Sequence, residues 1–118
     1  MRQFLQSKIH WATVTEANTE YVGSVTIDAS LMERVNIAEY EKVLIADLTN
    51  GARLETYALK GEPNSGTICI NGAAAHLVEV GNQVIIMAFG YGEPPVEPKQ
   101  ILVDAANHYL QDLEPGQR

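Results

Sequence analysis

Short runs of strand-favouring residues, broken by turn formers at intervals of about 8–12 residues, constrain this chain more than any other feature of it. Trp11-Ala12-Thr13-Val14-Thr15 alternates like a half-buried strand, and Tyr21 to Ile27 does the same apart from its glycine, Gly23. Lys42 to Leu48 and Arg53 to Leu59 are further runs joined through Thr49-Asn50-Gly51, where Asn-Gly accepts the positive φ of a hairpin turn. Thr67 to Ile70, the strongly apolar Val84 to Phe89 and Ile101 to Val103 complete the set. Helix is scarce: Asp28 is a natural N-cap before Leu31, Met32 and Val35 at helical spacing, and Asn71-Gly72 opens a turn into Ala73-Ala74-Ala75-His76. The pattern predicts a mainly β protein, barrel or sandwich, with only short helices.

A chain of 118 residues holds one core, so a single domain is expected over its whole length. Glu62 to Gly66 reads as a loop, and Glu93 to Pro98, with three prolines, reads as an exposed connection. From about residue 91 to 118 the chain is expected to be connection and loose tail apart from the last short strand. The first eight residues, interrupted by polar side chains, lack the continuous apolar stretch of a secretory signal, and no run approaches the roughly 20 apolar residues that span a bilayer. A cytoplasmic protein with no membrane partner is expected. Its single cysteine, Cys69, flanked by Ile68 and Ile70, has no intrachain disulfide partner and reads as a buried, inert thiol. The net charge of −7, with eight Lys and Arg scattered singly, provides no basic stripe for nucleic-acid phosphates. An anion site in such a chain must rest on particular basic residues.

Four motifs stand in order: Lys8-Ile9-His10, Tyr21-Val22-Gly23-Ser24, Asn50-Gly51-Ala52-Arg53 followed by Thr56-Tyr57, and Asn71-Gly72-Ala73-Ala74-Ala75-His76. In these the sequence resembles the pyruvoyl-dependent aspartate 1-decarboxylase family, from its first residues to about Phe89. The resemblance implies a six-stranded double-psi β-barrel and a homotetramer with its sites between subunits. It also implies decarboxylation of L-aspartate to β-alanine for pantothenate synthesis.

In the family, a serine hydroxyl attacks the carbonyl just before it, and elimination and hydrolysis leave a pyruvoyl group at a new N-terminus. By resemblance the cut falls between Gly23 and Ser24, giving fragments 1–23 and 24–118, with Ser24 becoming the covalent cofactor. Neither a metal nor pyridoxal phosphate is then required. From the residues alone, a glycine before the serine allows a strained turn that aims the hydroxyl, although Gly-Ser at a strand bend is also an ordinary structural pairing. A pyruvoyl carbonyl condenses with the substrate amine and accepts the electron pair released with carbon dioxide.

The resemblance assigns Tyr57 to reprotonation, and a phenol, titrating near about 10, is a competent acid at neutral pH. Its structural alternative is an aromatic packed in the core. Arg53 matches the carboxylate binder, a role suited to a planar guanidinium, and its alternative is a solvated residue after a turn. Lys8 and His10 share a face of an extended segment and add positive potential, or are simply solvated and half-buried. Thr56 matches the threonine that assists self-cleavage and lines the substrate site, while Gly72, Ala73 and Ala74 match a segment whose backbone contacts substrate, or form an ordinary turn.

Strict alternation puts Arg53 and Tyr57 on one face of their strand and Thr56 on the other, so a bulge or a strand end beside the pocket is expected. Glu55 shares the face of Arg53 and competes for it. Two other readings remain open on the residues. Ser24 and His10 could serve a hydrolase, although Tyr-Val-Gly-Ser-Val lacks the second glycine of a nucleophile elbow. A non-enzymatic oligomeric barrel fits the composition as well. Zinc has no support from ligand spacing.

Overall fold

The computed structural model describes residues 1–92 and 97–114. Its strands are β1 (Arg2–Thr13), β2 (Glu16–Asn18), β3 (Ser24–Asp28), β4 (Lys42–Asp47), β5 (Arg53–Gly61), β6 (Ile68–Asn71), β7 (Gln83–Gly92), β8 (Lys99–Val103) and β9 (Tyr109–Asp112). Among the described residues one α-helix, α1 (Ala29–Val35), follows β3, and a 3-10 turn, Gly72–His76, follows β6. The mainly β class with short helices is as expected; the described residues form nine strands in place of six.

The strands form one sheet in the order β2-β6-β3-β5-β4-β7-β1-β8-β9. Three of its pairings, β2 with β6, β3 with β5 and β1 with β8, are parallel, and the others are antiparallel. Parallel neighbours require the chain to cross over rather than turn back. This mixture agrees with the double-psi barrel that the family resemblance implies.

Period-two burial builds the core. Val84, Ile86 and Ala88 of β7, Val43 and Ile45 of β4, Val25 and Ile27 of β3, Ile68 and Ile70 of β6, and Ile9 of β1 all point inward. Each valine or isoleucine among them contributes on the order of 1.5–3 kcal/mol by leaving water. The helix seals one end with Leu31, Met32 and Val35. Its N-cap is the expected Asp28, whose carboxylate accepts from Ser30 N, and also from Asn64 N and Gly66 N of the loop before β6. Burial opposes the charge on Asp28, but these hydrogen bonds override it and hold the carboxyl below its ordinary range.

Several boundaries differ from the sequence reading. Strand β1 starts at Arg2 rather than Trp11, because β7 and β8 pair with it on both sides, and its buried polar residue, Ser7, is satisfied by donating to the Val35 carbonyl. The run from Tyr21 to Ile27 is not one strand: Tyr21 and Val22 are 56% and 87% exposed, and β3 begins only at Ser24. The hairpin between β4 and β5 is present, but its loop is wider than two residues. Asp47 caps it by accepting from Thr49 N and Asn50 N, with Gly51 at φ 79°. Part of the stretch expected to be a loose tail forms β9, paired with β8. The connection read at Glu93–Pro98 lies mostly outside the described residues, as does the end of the chain from residue 115.

Candidate active site

Ser24 opens β3 and is wholly buried. Its φ of 152° lies in a region that residues with a side chain rarely adopt, a strain on the order of 1–3 kcal/mol. The sequence reading placed the conformational freedom on Gly23, yet Gly23 has no positive φ and a β-carbon there would touch nothing within 4 Å. The strain therefore sits on the serine.

What Gly23 meets is another glycine. Gly72, at φ 74°, packs so closely that a β-carbon on it would stand 2.6 Å from Gly23 Cα and 2.8 Å from Gly23 N. Beside it, the Asn71 side-chain amide donates to Ser24 Oγ at 3.0 Å and approaches Thr26 Oγ1 at 3.3 Å. Register explains the contact: β3 and β6 run antiparallel with Ser24 opposite Asn71, and directly opposed residues share a face. Sequence reasoning quoted Asn71 within its motif but gave it no role; a side-chain amide ending an apolar strand just before a glycine was the available signal. Of the following residues, Ala73 is exposed and Ala74 packs against the core edge.

Thr56 and Tyr57 arrive along β5. The parallel pairing of β3 with β5 starts at Val25 opposite Ala58, so Gly23–Ser24 and Thr56–Tyr57 each come just before it along their own strands. No bulge appears in β5, whose register with β4 is unbroken from Arg53 to Tyr57. The expected division of faces therefore holds: Thr56 faces inward with Leu54 and Ala58, while Arg53, Glu55 and Tyr57 face outward. Tyr57 is half-buried beside Tyr40, ring centroids 6.4 Å apart, rather than packed in the core. No hydrogen bond joins the Thr56 hydroxyl to Gly23 among the described residues.

Glu55 pairs with Lys42 at 2.7 Å, both well exposed, and this is not the pairing with Arg53 that the sequence allowed. Arg53 has no ion-pair partner among the described residues. Following the outward face across the sheet, Arg53 lies opposite Ala46 and Ala46 opposite Ile85; Glu55 lies opposite Leu44, then Met87, then Lys8. Lys8, Arg53 and Tyr57 thus share one face, separated by an apolar band of Leu44, Ala46, Ile85 and Met87. Phe89 and Tyr91 continue it, 39% and 68% exposed. A cleft of about 430 Å³ opens on this face, lined by residues that include Lys42, Leu44, Glu55, Phe89 and Tyr91.

His10 lies next to Lys8 on β1, stacked on Trp11 at 5.2 Å, with its Nδ1 buried and without a hydrogen-bond partner. Burial, and secondarily the charge of Lys8, hold its pKa below the ordinary value. In the sheet order β1 lies four places from β3, the strand that Ser24 opens. Among the described residues no group of three or more His, Cys, Asp or Glu is placed to hold a metal, and no helix is long and apolar enough to cross a membrane.

The chain matches the model of the aspartate decarboxylase family over residues 1–110. It is 52% identical over 116 residues to the aspartate 1-decarboxylase of Bacillus thuringiensis (strain Al Hakam), covering 95% of this chain and 91% of that protein. The aspartate 1-decarboxylase of Bacillus cereus (strain G9842) is 53% identical with the same coverage. A solved structure, the computationally designed protein msDPBB_sym2, superposes with a TM-score of 0.46 at 16% identity, over 74% of this chain and 99% of that one.

Proposed function

The chain belongs to the aspartate decarboxylase family, whose activity is that of a carboxy-lyase, and from this premise we propose that it cuts itself between Gly23 and Ser24 and then converts L-aspartate to β-alanine and carbon dioxide, supplying pantothenate synthesis. The observation that carries the proposal is the buried, strained Ser24, its hydroxyl held by Asn71 while Gly72 presses on Gly23.

In the cut, Ser24 Oγ bonds to the Gly23 carbonyl carbon as the peptide C–N bond breaks, and the hydroxyl proton ends on the Ser24 nitrogen. Loss of the Ser24 α-proton then expels Gly23 as a carboxylate, leaving dehydroalanine. Water replaces its nitrogen, which departs as ammonia. Relief of the backbone strain at Ser24 favours the first step. Thr56 supplies a donor to the oxyanion that develops on the Gly23 carbonyl.

The pyruvoyl group so formed supplies an electron sink for the pair released with carbon dioxide, so no metal and no pyridoxal phosphate is called for. The chain's own residues do the rest. Arg53 binds the side-chain carboxylate of aspartate through paired hydrogen bonds, leaving the other carboxylate to depart. Lys8 and His10 add positive potential for a dianionic substrate in a chain of net charge −7. The Tyr57 hydroxyl delivers a proton to the substrate carbon. The backbone of Gly72, Ala73 and Ala74 lies close to the substrate.

Arg53, Tyr57 and Lys8 face outward across an apolar band while Ser24 is internal, a division that favours a site completed by a second copy of the chain. A homotetramer with sites between subunits is the assembly we propose, acting as a cytoplasmic enzyme. The test is direct: purified protein incubated with L-aspartate releases β-alanine, and the Ser24→Ala protein stays uncut and releases none. Turnover by uncut Ser24→Ala would overturn the proposal.

A further inference from the structure

Cys69 is accounted for neither by packing alone nor by the proposed chemistry. On β6, Cys69 and Asn71 are two residues apart and share a face; on β3, Thr26 lies opposite Cys69 and Ser24 opposite Asn71. These four side chains form a block whose outer corner is closed by Glu16, opposite Cys69 on β2. Within it the Cys69 thiol lies 3.0 Å from Asn71 Oδ1 and 3.5 Å from Glu16 Oε2, and Asn71 Nδ2 lies 3.0 Å from Ser24 Oγ.

An asparagine amide can sit either way round, and its neighbours decide which. The thiol and the hydroxyls here can each donate or accept, and the Cys69 thiol lies nearer Asn71 Oδ1, at 3.0 Å, than the Glu16 carboxylate, at 3.5 Å. With its proton directed to Asn71 Oδ1, the thiol turns the Asn71 NH₂ toward Ser24. We infer that Cys69 is a positioning residue for self-cleavage, its thiol locking the Asn71 side chain so that the amide donates to Ser24 Oγ rather than accepting from it. The consequence is chemical: a donor at Oγ stabilises negative charge gathering there as the proton leaves, which the reversed amide would oppose. Burial, reinforced by Glu16, lifts the Cys69 thiol to about 11, which keeps the donor in place across the physiological range.

The inference rests on the reading that the chain cuts itself, and the test separates the two. Four variants, Cys69→Ser, Cys69→Ala, Cys69→Thr and Cys69→Val, are isolated promptly after synthesis. The rate at which each yields fragments 1–23 and 24–118 is followed on warming, with thermal melting as a check on folding. Threonine and valine have nearly the same shape and differ in a hydroxyl, as do serine and alanine. The donor-bearing Ser and Thr forms should cut at close to the parent rate, and the Ala and Val forms roughly five- to tenfold more slowly, the weight of one modest hydrogen bond. Rates ordered by side-chain volume, or equal in all four, would overturn the role of Cys69 while leaving self-cleavage standing. A parent protein that never cuts would overturn both. Should alanine unfold the protein, the Thr and Val pair decides alone.

Discussion

Gly72 stands against Gly23 so closely that a single added methyl would lie 2.6 Å from Gly23 Cα, with backbone rather than a yielding side chain on the other side. The contact ties the 3-10 turn to the residue whose carbonyl the proposed cut attacks. Gly72→Ala must displace Gly23 or give up its own positive φ. Fragments should appear at least tenfold more slowly, with the strands intact by circular dichroism. Cleavage at the parent rate would show that this contact does not set the geometry of the cut.

Among the described residues Arg53 has no ion-pair partner, Glu55 pairing with Lys42 instead. Arg53→Lys should cut normally but lose roughly 10- to 100-fold in kcat/KM for aspartate, since a point charge cannot reproduce two parallel hydrogen bonds. Unchanged steady-state kinetics would remove Arg53 from substrate recognition.

Tyr57→Phe retains the ring beside Tyr40 and removes only the hydroxyl. The protein should assemble and cut as before, while β-alanine release falls by roughly 10²–10⁴-fold, the usual contribution of a positioned acid. If the variant fails to cut, or turns over at the parent rate, the proton comes from another residue.

For His10, burial and the neighbouring Lys8 both disfavour the imidazolium, so its pKa in the folded chain lies below the ordinary 6.5. A depressed value means that the unfolded chain binds the proton more readily. The stabilisation is complete above the unfolded pKa and is lost as pH falls through the folded one. An NMR titration should show the low midpoint, and Lys8→Met should raise it without restoring the ordinary value, because burial is the larger cause. A midpoint unmoved by Lys8→Met would mean the two side chains do not interact.

The period-two alternation in β4, β5 and β7 exposed the fold in the sequence, because those strands bury one face and leave the other outward. The N-cap at Asp28 was equally legible. The extent of β1 was not, since its polar residues are tolerated by neighbours distant in the chain, β7 and β8. At the site, motif order singled out Gly23, Ser24, Thr56 and Tyr57, and parity separated the faces of Thr56 and Tyr57 correctly. Parity could not reveal that the strain lies on Ser24, that Lys42 claims Glu55, or that Asn71 faces the serine. Each of those depends on pairing between strands far apart in sequence, which local pattern does not encode.

Self-cleavage is the claim on which the account turns, and the mass of the purified chain under denaturing conditions tests it most directly. The account predicts two species, residues 1–23 ending in a free carboxylate and residues 24–118 beginning with a pyruvoyl group in place of serine, the latter blocked to Edman degradation. A single species of full-length mass, persisting after prolonged warming, would contradict it.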